Sequence, residues 1–221
     1  ISAPLINRYI FKNLEYKESQ IYTLPFLLCL ILVMFFRRAS SRRRFWNILG
    51  IGISSLYMLL TLVNKVYIND VFKKSLDKHE ISFHRFQTQP SIFNNVLWYG
   101  IAEGENSYHV AFYSLLDKSN RFSDWQELPK NHDLVSDENK DIKTLSWFSN
   151  GYYNLIPQEE NNSFRYNDLR YPLLNSKDPN SSVFSFIIKK EGERWNALPF
   201  SGKPPSSEDL SVFWNRIKGN N

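Results

Sequence analysis

The sequence predicts an α+β protein: a two-helix transmembrane hairpin followed by a mainly antiparallel β domain with flanking helices. Three observations predict it. Ser19 to Phe36 and Phe45 to Asn64 are runs of 18 and 20 residues without a charge. Five arginines, Arg37, Arg38, Arg42, Arg43 and Arg44, stand between these runs. After Lys65 the pattern changes to short runs rich in aromatic and β-branched residues, punctuated by glycine and ending in a helical repeat.

The chain therefore divides into an N-terminal segment (1–20), a hairpin (21–64) with an arginine loop at 37–44, and a domain at 65–221. A bilayer core about 30 Å thick needs roughly 20 apolar helical residues, so both runs are long enough to span. The second run contains Gly50, Gly52, Ser54, Ser55 and Thr61, small and hydroxylated residues that suit helix packing in lipid. Tyr22, Phe35, Phe36, Phe45 and Trp46 stand at the ends, where amphipathic rings favour the headgroup region. The competing reading, two buried core helices of a soluble protein, fits poorly with such long charge-free runs.

Charge orients the hairpin. The chain has a formal net charge of +5, yet residues 65–221 hold 19 Lys and Arg against 20 Asp and Glu, a balance of −1. Residues 1–18 contribute three basic and two acidic side chains, and the five loop arginines supply the rest. Basicity confined between two apolar runs points away from nucleic acid and towards the lipid bilayer. Short loops rich in Lys and Arg stay cytoplasmic, so the loop is predicted inside, binding anionic headgroups. Everything after Asn64 is then predicted to be extracytoplasmic. The chain begins with Ile1 and lacks a signal-peptide pattern, which suggests the C-terminal part of a longer protein. Cys29, the single cysteine, lies within the first apolar run and cannot form an intrachain disulfide.

In the domain, "KVYINDVFKKSLDKH" extends the second apolar helix by an amphipathic turn or two. "ISFHRFQT" alternates as a strand that Pro90 ends. "NVLWYGIAEGENSYHVAFYSLLD" and "FSFIIKKEGERWNALPF" read as hairpins turning at Gly104 and Gly192. The Asn150-Gly151 pair in "TLSWFSNGYYNLI" marks a tight turn. "SSEDLSVFWNRIKG" starts at a capping Ser206, places Leu210, Phe213, Trp214 and Ile217 at helical spacing, and ends at Gly219. "LPKNHDLVSDENKDIKT" and "PQEENNSFRYND" read as polar surface loops.

Chemistry is sparse. His79 and His84 are five apart, and His109 and His132 stand alone, so no metal motif is present. There is no GxSxG, no GxGxxG and no Walker pattern, so no catalytic residue is assigned. Two polar clusters remain: His84, Arg85, Asn94 and Asn95, and Asp168 with Arg165, Asn167 and Arg170. Arg and carboxylate together can bind an anion or position a water. The simpler reading is an internal ion pair with turn-forming Asn and Asp.

The phrases "YTLPFLLCLILVMFF", "VNKVY", "RFQTQPSIFNNVLWYGIAEG", "AFYSLLD" and "YNDLRYPLL", spread from about Tyr22 to Gly219, resemble the C-terminal part of bacterial membrane-bound metal-dependent hydrolases. The resemblance implies a multi-pass inner-membrane protein with further helices upstream. It also implies a divalent metal held upstream, in a His-Arg-Gly-x-Thr-His-Ser kind of motif with aspartates. No such stretch occurs in this sequence, and "LEYKESQ" departs from the Asp-Pro approach of the family. The implied metal therefore belongs to the full-length family and not to this chain, which would serve as hairpin and accessory domain. The alternative is a non-catalytic membrane-anchored domain that binds a protein or envelope ligand.

Overall fold

The computed structural model describes residues 43–91, 94–135, 140–158, 163–172, 182, 184–191, 194–200 and 206–220. The first apolar run, Arg37, Arg38, Arg42 and the Gly192 turn lie outside the described residues. The predicted hairpin is therefore represented by its second helix alone. The chain divides into two compact units, residues 1–62 and 63–221.

In the first unit the described structure is the N-terminal part of α1, a helix that runs Arg43–Lys78. Among the described residues it is the one helix long and apolar enough to cross a membrane. Ile48, Ile51, Ile53, Leu56, Leu59, Leu60 and Leu62 are all exposed, as are Arg44 and the aromatic pair Phe45 and Trp46. A soluble core helix would bury such a set.

The second unit is α+β. Two four-stranded antiparallel sheets follow one another, each a simple meander preceded by a helix. The first sheet contains β1 (Arg85–Pro90), β2 (Leu97–Glu103), β3 (Ser107–Ser114) and β4 (Ser123–Pro129). A short 3-10 turn at His132–Leu134 and helix α2 (Lys140–Phe148) lead into the second. That sheet contains β5 (Tyr153–Pro157), β6 (Ser163–Asp168), β7 (Ser185–Glu191) and β8 (Arg194–Phe200). Helix α3 (Ser207–Ile217) closes the chain. Strands β2 and β3, and β7 and β8, pair as the sequence predicts.

The C-terminal part of α1 reaches much further than a turn or two. Ile68, Val71, Phe72, Ser75 and Leu76 recur at helical spacing, and all are buried. They pack on one face of the first sheet, against Trp98, Ala102, Ala111, Tyr113 and Phe122. Because side chains alternate along a strand, Trp98, Gly100 and Ala102 share that face. Gly100 pairs with Ala111 at its centre, and the two small residues leave a trough for the Phe72 ring. The odd-numbered residues of β2, Tyr99 and Ile101, form a second cluster with Tyr108, Val110, Tyr152 and Leu169. The second sheet repeats the scheme under α2, whose Ile142 and Leu145 meet Tyr153, Leu155, Tyr166 and Ile188.

All three described α-helices stop in the same way. After α1, Glu80 adopts φ 55°, its N–H meets Asp77 O at 3.1 Å, and the Ile81 N–H meets Leu76 O at 3.1 Å. This is the Schellman arrangement, with Ile81 packed back on the cluster that holds Leu76. It explains why the strand predicted from Ile81 begins at Arg85. After α2, Asn150 (φ 53°) and Gly151 close the same two bonds, to Trp147 O and Ser146 O. The predicted Asn-Gly turn is thus a helix stop leading into β5. After α3, Gly219 (φ 75°) does so as predicted. The predicted start of α3 holds as well: Ser206 and Asp209 form a reciprocal capping box.

Two expectations are corrected. The stretches predicted as polar loops hold α2, with Ile142 and Leu145 buried, and β6, which is buried along most of its length. Both are polar by composition: α2 buries an apolar face, whereas β6 buries Ser163, Arg165, Asn167 and Asp168 beside Tyr166. In "SFRYND" the buried polar side chains have partners: Asn167 donates to Asn154 at 3.0 Å and accepts from Ser185 at 2.9 Å. The buried face of α3 also differs from its apolar pattern. Trp214 is exposed, while Arg216 is buried and forks onto Asp117 at 2.7 and 2.8 Å. Its Nη2 also donates to Phe112 O and Ser123 Oγ. A single arginine thereby ties α3 to the end of β3 and the loop that follows.

Candidate functional site

Strands β1 and β2 pair so that Arg85 lies opposite Glu103. The Arg85 Nε donates to Glu103 Oε2, and Lys130, just past β4, reaches Glu103 Oε1 at 2.9 Å. Burial alone would push the Glu103 carboxyl up. The hydrogen bonds from Lys130 and Arg85 outweigh that and hold it below its ordinary value. Burial likewise opposes charge on Arg85, but the Glu103 carboxylate more than offsets it and raises the guanidinium further.

Aromatic rings surround this triad. The Arg85 guanidinium lies 4.2 Å from the centre of the Tyr152 ring, and Lys130 Nζ lies 5.3 Å from that of Tyr108. The Tyr108 hydroxyl donates to Gly151 O at 2.6 Å, and burial raises its pKa well above the usual phenol range. His132 stacks on Tyr153 at 4.0 Å and 11°, and Tyr153 stacks in turn on Tyr166. The His132 Nε2 is 2.9 Å from Tyr153 O. The Leu155 N–H donates to Lys130 O and the Asn131 side-chain amide donates to Leu155 O, which brings the segment after β4 alongside β5.

Above this network is an open cleft of about 600 Å³, lined by Arg85, Glu103 and His132 on one side and by residues of α2 and its stop on the other. Lys143, Ser146 and Trp147 contribute from α2, with Asn150, Gly151 and Tyr153 beyond it. Gly151 sits at φ 73°, which L side chains rarely adopt, and a Cβ on it would lie 2.8 Å from an Arg85 terminal nitrogen. Arg85 thus also supplies a cation at the negative end of α2.

Of the two polar clusters singled out in the sequence, Arg85 alone lines the cleft; His132 and the Asn150-Gly151 pair, marked there for other reasons, line it too. His84 is exposed beside it in sequence, and only its backbone N–H is engaged, with Glu103 O. Asn95 is buried in the turn before β2, and its carbonyl accepts from the Trp98 indole at 3.3 Å. Asn94 holds the same turn through Val96 and Leu97. Asp168 and Arg170 form their own pair at the end of β6. The Arg170 backbone and guanidinium both donate to the buried carboxylate, from 2.6 to 3.2 Å. Neither His84 nor Arg85 pairs with Asp168 or Arg170. Arg44, from the arginine loop, is exposed at the start of α1.

Sequence reasoning missed Glu103, Lys130, Lys143 and Trp147, and set His132 aside as an isolated histidine. Glu103 was within reach, since aligning "HRFQT" with "YGIAEG" across a hairpin places Arg85 opposite it. Lys130, His132 and Lys143 are brought in from the first segment read as a loop, and Trp147 from the aromatic-rich stretch before the Asn150-Gly151 pair. Among the described residues no three His, Cys, Asp or Glu side chains cluster as a metal site would require. These residues therefore do not fit the metal that the family resemblance implies, and no metal-dependent step is assigned to them. Compared with protein-family models, with curated proteins and with solved structures, the chain matches none.

Proposed function

We propose that this chain is the membrane hairpin and accessory domain of a membrane-bound metal-dependent hydrolase, with the metal site in residues upstream. The observation that carries the membrane half is α1, whose residues 45–64 lack any charge and expose almost every apolar side chain. The cost of hydrating such a surface favours lipid around it. The hydrolase half rests on the resemblance of the long phrases between Tyr22 and Gly219. In this reading the protein is multi-pass in the inner membrane, the arginine loop is cytoplasmic, and residues 65–221 are extracytoplasmic.

Two experiments test it. Metal content and hydrolytic activity are compared between this 221-residue chain and a longer gene product that includes upstream histidines, both in detergent. The reading expects metal and activity in the longer protein alone. Metal bound stoichiometrically by the 221-residue chain itself would overturn it. A reporter fused after Asn221 should lie outside the cytoplasm, and replacing the loop arginines with glutamate should scramble its side. An unchanged reporter would refute the orientation.

A second reading, a membrane-anchored domain that binds an envelope ligand or protein without catalysis, is favoured by the cleft. It is open, lined by mixed polar and aromatic groups, and of a size that suits a small ligand.

A further inference from the structure

We propose that the cleft between the first sheet and α2 binds an anionic sugar, a pyranose-sized ring bearing a carboxylate or a phosphate. The first ground is charge. Arg85 and Lys143 line the cleft against the single lining carboxylate of Glu103, which Lys130 also neutralises. Among the described residues the Arg85 terminal nitrogens make no hydrogen bond, and Lys143 makes neither an ion pair nor a hydrogen bond. The wall therefore carries an excess of positive charge with donors in a fork and a point, which suits an oxyanion.

The second ground is Trp147. It lines the cleft on α2 and is 82% exposed, whereas Ile142 and Leu145 of the same helix are buried in the core. An exposed indole lining the same cleft as Arg85 and Lys143 offers a flat apolar face to the C–H face of a sugar ring. Ser146 and Asn150 line the same space with side chains that can hydrogen-bond ring hydroxyls. The anion meets Arg85 and Lys143, the ring lies against Trp147, and no covalent step is involved. This inference stands apart from the hydrolase assignment, because it concerns only groups present in this chain.

Calorimetric titration of the full chain in detergent tests it, with glucose 6-phosphate, glucuronate, glucose and inorganic phosphate as probes. Both charged sugars are expected to bind more tightly than glucose and than inorganic phosphate, and less tightly as sodium chloride is added. Lys143→Ala should weaken both charged sugars about tenfold, the loss of one charge-assisted hydrogen bond. Trp147→Ala should weaken the sugars while leaving inorganic phosphate unchanged. Both side chains are exposed, so these variants keep the fold, whereas Arg85→Ala would also release Glu103. Preference for glucose 6-phosphate over glucuronate, or the reverse, identifies which oxyanion the cleft takes. Absence of binding by either charged sugar overturns the proposal. So does binding that neither variant weakens, and so does phosphate binding as tight as that of the sugars.

Discussion

Gly100→Ala adds one methyl group to the centre of β2. A Cβ built there lies 2.3, 2.6 and 2.8 Å from the Cε2, Cδ2 and Cζ atoms of Phe72. Ordinary carbon contacts are about 3.5–4.0 Å, so the ring or the strand must move by more than an ångström. The ring has little freedom to move. Phe72 is fully buried and lies 4.6 Å from Phe122 and 5.7 Å from both Phe86 and Trp125, centre to centre. Overpacking of this kind costs about 1–3 kcal/mol. Removing a glycine from the unfolded chain returns only about 0.4–1 kcal/mol. The net effect is a loss, equivalent to a fall in Tm of roughly 2–8 °C for a domain of this size. Thermal unfolding of the full chain in detergent, followed by near-UV circular dichroism, reads it. The double variant Gly100→Ala, Phe72→Leu should be less destabilised than the sum of the single changes, because the smaller side chain makes room for the methyl. An unchanged Tm for Gly100→Ala, or strict additivity in the double variant, would refute the close packing of α1 on β2.

Other outcomes follow from the same packing. Arg216→Ala leaves the Asp117 carboxylate buried without its fork and should cost about 3–5 kcal/mol, with α3 cleaved early in limited proteolysis. Arg216→Lys should recover only part of that, since an ammonium cannot make both parallel bonds. Ser206→Ala removes half of an exposed capping box and should cost about 1 kcal/mol, read as a small fall in Tm. The Glu103 carboxyl has its folded pKa depressed, so its contribution is fully present above the unfolded value, about 4.3, and fades as pH falls through the folded value. Glu103→Gln should therefore flatten the acid limb of Tm against pH below about 4.3. A limb of wild-type steepness would show that Arg85 and Lys130 do not stabilise the carboxylate.

The elements legible in the sequence were those with local signatures. The apolar run of α1, the hairpin around Gly104, the capping Ser206 and the stop at Gly219 each depend on residues close in the chain. The α2 segment was hidden because its buried face is only Ile142 and Leu145, set among lysines, aspartate and serine. Strand β6 was hidden because it buries Asn167 and Asp168, whose partners come from β5, β7 and the turn at Arg170. Composition marks such residues as surface, and only long-range pairing satisfies them. The cleft followed the same rule. Arg85 stood out by its neighbours in sequence, but its true partner, Glu103, is 18 positions away, and Lys130, which shares that carboxylate, is 45 away. Trp147 and Lys143 could not be placed near it until α2 existed.

The membrane assignment of α1 is tested most directly by the environment of one side chain. With Cys29→Ser removing the single native thiol, Leu56→Cys carries a nitroxide spin label in the full chain reconstituted into lipid vesicles. Collision with oxygen, which concentrates in lipid, is compared with collision with a nickel chelate, which stays in water. The account predicts high oxygen and low nickel accessibility at position 56, and the reverse for a label at Lys118→Cys on the exposed end of the first sheet. High nickel accessibility at position 56, or protection from both reagents as in a protein core, would contradict it.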